Sequence, residues 1–162
     1  MVKIFLGGII ILSCTLFGKK YTSQYYLKLK YYECLAELNL QLKQNLMFKH
    51  DNLLNILYSP PYSSDFNTTL DSFKLYKSNN LIAIDLYFPY WANDDDKQFI
   101  TNYFLSLGKG NRDSEMENII YYENIISEKL KKISDKSSKF SSLGQKLGFA
   151  VGMAIFVIIL WT

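Results

Sequence analysis

Residues suited to catalysis are scarce in this sequence. It has one histidine, His50, and two cysteines, Cys14 and Cys34. Neither cysteine has a CxxC partner, which argues against a disulfide framework and makes a reducing compartment the default. Asp94-Asp95-Asp96 is the one carboxylate cluster. Adjacent carboxylates in a single helical turn do not make a cation cage without further ligands. No GxxxxGK[ST] stretch occurs, and no strand precedes Gly108 and Gly110, so a phosphate loop is excluded. His50 sits beside Asp51 at an expected helix start, with no nucleophile or oxyanion donors in evidence around it. The expectation is a non-enzymatic protein with no catalytic residue, no metal and no cofactor.

Charge is missing from both ends of the chain. The first 18 residues and the last 16 hold one charged residue between them, Lys3. The net charge of +3 conceals a segregation. Residues 19–49 carry six lysines and two glutamates, residues 50–128 carry five basic and twelve acidic groups, and residues 129–146 carry six lysines and one aspartate. The basic segments abut the apolar ends, where anionic headgroups of a bilayer would lie. A nucleic-acid binder would carry them on the folded middle, so no nucleic-acid partner is expected.

The two apolar runs are candidate membrane spans. LGFAVGMAIFVIILWT (147–162) has 16 residues, and counting from Leu143 extends it to about 30 Å of helix, with Lys146 snorkelling. Trp161 suits an interfacial anchor. IFLGGIIILSCTLFG (4–18) has 15 residues, about 22 Å as a helix. A signal peptide after Lys3, or lipoprotein cleavage before Cys14, are its rivals. Leu12 fits the second poorly, and no small-x-small cleavage site stands out. Lysines lie on the middle-segment side of the C-terminal run, and Lys19, Lys20, Lys28 and Lys30 outweigh Lys3 at the other. The positive-inside rule then places the middle in the cytoplasm. An exported, lipid-anchored or membrane-bound binding module is the alternative.

Between the ends the sequence predicts helices. Residues 19–59 contain no Gly or Pro, and Tyr31, Leu35, Leu38, Leu42 and Leu46 recur at helical spacing. The apolar N-terminal run should continue into this helix. A short helix is expected over 51–59, capped by Asp51 and broken by Pro60-Pro61. Another is expected over 65–78, with Phe66, Leu70 and Phe73 on its face. LIAIDLYF (81–88) alternates like a strand, but no partner strand is evident, so an apolar helix closed by Pro89 is expected. The next helix, 93–108, has Asn93 or Asp94 as cap and Phe99, Tyr103, Phe104 and Leu107 as its face. After a turn at 109–112, a last long helix carries Ile119, Tyr122, Ile126, Leu130 and Ile133, with SDKSSKFSS as a softer joint before the C-terminal run. The fold class is all-α: a cytoplasmic helical bundle (19–140) between an N-terminal (1–18) and a C-terminal (141–162) transmembrane helix.

Gly144, Gly148 and Gly152 lie four residues apart. In a water-exposed helix each interior glycine costs roughly 1 kcal/mol against alanine. In lipid, small residues allow helices to approach closely. The stripe is therefore a candidate packing face, against Gly7-Gly8 or a second subunit, with Gly144 as a joint near the interface. The acidic stretch 50–128, with Asp94, Asp95 and Asp96, is the candidate partner-docking surface.

Three stretches resemble the stage III sporulation protein AB family of endospore-forming bacteria. Thr15-Leu16-Phe17-Gly18 closes an apolar run before a basic, tyrosine-rich helix. Leu107-Gly108 stands where the family often reads LGxSDxxxQ, with Asn111 at its aspartate and Glu115 at its glutamine. Phe140-x-x-Leu143-Gly144-x-x-x-Gly148 is similar to the family's turn into its last span. The resemblance implies a platform subunit of the mother cell–forespore transenvelope complex, similar to the inner-membrane platform of type II secretion and type IV pilus machines. It implies the partner ATPase of the same operon, other channel subunits and the lipid bilayer as partners, with homo-oligomers as a further possibility. The implied location is the mother-cell side of the outer forespore membrane.

Overall fold

A computed structural model of the chain describes residues 2–48, 57, 62–79 and 83–161. Among the described residues four helices form: α1 (Val2–Phe48), α2 (Ser64–Ser78), α3 (Asp94–Ser106) and α4 (Arg112–Trp161), and no strand occurs. The all-α expectation holds. Among the described residues no helix is long and apolar enough to cross a membrane. The apolar runs themselves, 15 and 16 residues, fall short of the about 20 that a span requires. His50, Asp51 and the expected 51–59 helix lie outside the described residues, except Leu57, which is helical and buried.

The chain divides into two compact units. One comprises Lys30–Lys131. Here α1 buries Tyr31, Leu35, Leu38 and Leu42 of the predicted face and leaves Leu46 half-buried, and α4 buries Ile119, Tyr122 and Ile126 and leaves Leu130 half-buried. The Asn39 amide nitrogen donates to the Ile119 carbonyl oxygen at 3.1 Å, tying α1 to α4. Against these helices, α2 buries Phe66, Leu70 and Phe73, and α3 buries Ile100, Tyr103 and Phe104. The core is aromatic and packs edge to face. Ring centroids lie 5.1 Å apart for Tyr31–Phe66, 5.1 Å for Tyr31–Trp91 and 5.1 Å for Tyr103–Tyr122. Such pairs add about 0.5–1.5 kcal/mol each beyond the area they bury.

Residues 84–89 are not the expected helix. They form neither helix nor strand, with Leu86 and Pro89 buried and Asp85 and Tyr87 exposed. The alternation in the sequence survives only in burial, with Leu86 inside between exposed Asp85 and Tyr87. Side chains of α2 replace the missing ladder: the Thr69 hydroxyl donates to the Tyr87 carbonyl at 2.9 Å, and the Tyr87 N–H donates to Ser72 Oγ at 3.4 Å. Backbone groups outside regular structure still need partners, and hydroxyls one helical turn apart supply them here. A turn follows, with the Ala92 N–H donating to the Pro89 carbonyl at 2.9 Å, and it delivers Trp91 to the core.

The second unit comprises Met1–Leu29 and Lys132–Thr162. Both of its segments are helical. The expected softer joint at SDKSSKFSS does not form; α4 continues through it and through Gly144. No proline interrupts the stretch, and the Ser138 hydroxyl bonds back to the Asp135 carbonyl at 3.1 Å within the helix. Among its described residues several large apolar side chains are exposed. Leu12, Leu16, Phe17, Phe149, Val157, Ile158 and Trp161 are all more than half exposed.

Candidate docking surface

At the start of α3 the structure divides the three aspartates. Asn93 Oδ1 accepts from the Asp96 N–H at 2.8 Å, and Asp96 Oδ2 accepts from the Asn93 N–H at 3.3 Å. This reciprocal capping box satisfies two helix-end donors that would otherwise be orphaned. Asp96 is only 3% exposed, and its Oδ1 accepts a 2.8 Å hydrogen bond from the Tyr32 hydroxyl. Asp96 is therefore internal and unavailable to a partner, which corrects the expected docking set. Asp94 and Asp95 remain on the surface, with Asp94 3.5 Å from Lys97. An exposed pair at that distance adds little stability.

Buried tyrosine hydroxyls form the rest of the polar network. Tyr103 donates to Asn39 Oδ1 at 3.3 Å, so one asparagine links α1, α3 and α4. Burial pushes the Tyr103 hydroxyl far above its ordinary range. For Tyr32 burial acts first and the negative charge of Asp96 adds to it. Tyr31 is raised by burial as well, and its hydroxyl lies beside Thr69 without a hydrogen bond of good geometry. Tyr62, closer to the surface, is pushed up to about 12, mainly by burial. All of these groups stay protonated, and those of Tyr32 and Tyr103 act as donors that hold helices together. Sequence reasoning missed Tyr32 and Asn39 and gave Asp96 a docking role instead of this internal one. The Asn93–Asp96 spacing of a capping box was the available signal for the last.

The α3–α4 turn is built by Gly108 and Glu115. Gly108 has φ 71, in the left-handed region that favours glycine. Glu115 Oε1 accepts from the backbone N–H groups of Lys109 at 2.7 Å and Gly110 at 3.1 Å. Asn111 Oδ1 caps α4 by accepting from the Ser114 N–H at 2.9 Å. Lys77 reaches across to the Leu107 carbonyl at 2.9 Å. A trough of about 520 Å³ opens beside this turn, lined by Asn102, Leu105, Ser106, Lys109 and Asn118 among others. A smaller groove of about 190 Å³ runs between α1 and α4, with Leu40 and Leu130 in its lining and Glu123 bridged to Lys43 at 2.6 Å.

Among the described residues no three His, Cys, Asp or Glu side chains gather as a metal site. Cys34 is buried and unpaired with another cysteine, and it meets Ser63 at 3.6 Å. Of the glycine stripe, Gly152 is buried within α4. Gly7, Gly8, Gly144 and Gly148 lie in α1 and α4, and their packing is outside the described side chains. No family model, curated protein or solved structure matches the chain.

Proposed function

We propose that this protein is a non-enzymatic membrane-anchored adaptor, its ends embedded in a bilayer and its unit of Lys30–Lys131 presented to a partner in the cytoplasm. One observation carries the reading. Among the described residues of the unit formed by the two ends, several large apolar side chains face outward, with Phe17 at 75% and Trp161 at 91% exposure. Monomeric proteins in water rarely expose so many large apolar side chains along two runs, and a bilayer covers them without further contacts. Lysines next to both apolar runs favour a cytoplasmic middle. The sporulation platform role, with the operon's ATPase as partner, extends this reading through the family resemblance. Asp94 and Asp95 are its candidate docking residues.

Protease digestion of intact and lysed protoplasts tests the topology. The expected outcome is protection of residues 30–131 in intact protoplasts and digestion after lysis. Digestion from outside would favour the exported, membrane-bound binding module. Recovery of the full chain in the supernatant after high-speed centrifugation would overturn the membrane reading altogether.

A further inference from the structure

We infer that α4 carries a one-sided binding face for anionic lipid headgroups, formed by Lys132, Lys136, Lys139 and Lys146; the inference rests on the membrane reading above. These lysines are spaced 4, 3 and 7 residues apart. At 3.6 residues per turn they occupy an arc of roughly 80° along about 21 Å of helix. All four are exposed, and the helix is continuous beneath them. The unit that contains them holds eight lysines against a single acidic residue, Asp135, which borders the arc.

Position selects a lipid rather than another anion. The lysine arc ends at Lys146, one residue before the apolar run begins, and that run exposes Phe149, Val151 and Val157. A headgroup phosphate at the bilayer surface meets Lys146 first, and Lys139 stands about 10 Å further along the helix. That is close to the Debye length at moderate salt, so both lysines feel the surface potential. Lys136 and Lys132 lie beyond it and act chiefly at low salt. Lysine suits this task because its long stem can lie on apolar surface while its ammonium reaches the headgroup. Each lysine within reach favours an anionic surface on the order of fivefold.

The test uses the full chain reconstituted into vesicles of phosphatidylcholine with spin-labelled phosphatidylglycerol or spin-labelled phosphatidylcholine. The expected result is several-fold enrichment of phosphatidylglycerol in the lipid shell around the protein at low salt. That enrichment should fall toward parity at high salt and in the K136Q/K139Q/K146Q variant, and persist in K109Q. Equal association of the two lipids, or an unchanged preference in the triple variant, overturns the inference while leaving the membrane reading standing. A chain that enters neither neutral nor anionic vesicles overturns the membrane reading and this inference with it.

Discussion

The tightest local commitments lie among buried polar side chains. Asp96 is held by its own capping box and by Tyr32, so it cannot be altered without disturbing the core. Tyr32→Phe removes one donor from a buried carboxylate and should cost about 1–3 kcal/mol, read by urea denaturation. The raised tyrosines also set an alkaline limit. Their hydroxyls are neutral in the fold well above the value of 10.0 at which they ionise when free. The unfolded chain then loses protons first, so their stabilising contribution is complete below about pH 10 and is lost as pH rises beyond it. Each of Tyr31, Tyr32 and Tyr103 should contribute a slope of about 1.4 kcal/mol per pH unit above that point. Denaturation midpoints followed from pH 9 to 11, with tyrosinate absorbance as a second probe, should fall steeply; a flat profile would count against this network. Residue roles of this kind were hard to read in advance. A tyrosine on a helical face reads as core, but its hydroxyl partner lies 64 residues away for both Tyr32 and Tyr103.

Helices were legible because their signal is periodic and local. The face of α2 follows directly from apolar spacing. In α1, α3 and α4 the spacing finds most of the face, with Leu46, Phe99 and Leu130 only half-buried and Ile100 buried beside them. The Asn93 cap follows from side-chain chemistry. Residues 84–89 were not legible because their backbone partners, Thr69 and Ser72, belong to a different element. The turn at Gly108 rests on one acidic side chain. A carboxylate at Glu115 accepts from two backbone N–H groups, a task that needs an oxygen but no amide nitrogen. The glycine stripe belongs to this scale too. At helical spacing Gly144 and Gly148 fall on the face continued from Ile133 and Ser137. If that face packs against another helix, Gly148→Leu should leave membrane insertion intact and abolish co-migration of the assembled complex on a native gel. Normal co-migration would show that the glycines are tolerated rather than used.

At the scale of the whole molecule, charge and apolar surface are divided between the units. The unit of Lys30–Lys131 has ten basic and fourteen acidic residues, whereas the unit formed by the ends is strongly basic. A membrane-held protein with an acidic cytoplasmic portion would steer a basic partner by long-range attraction, an effect that weakens as salt rises. The docking experiment must respect what α3 does. Reversing all three aspartates would bury an unpaired lysine in place of Asp96 and destroy the helix start, so lost binding would say nothing about docking. Reversing only the exposed pair, as D94K/D95K, avoids this because neither Asp94 nor Asp95 is buried. Helicity by circular dichroism should be unchanged apart from about 1 kcal/mol of stability, lost because carboxylates favour a helix N-terminus and lysines do not. If the proposed ATPase is the partner, its pull-down should fall at low salt and differ less from the parent protein at high salt. Equal binding at both salt concentrations would remove this end of α3 from the interface.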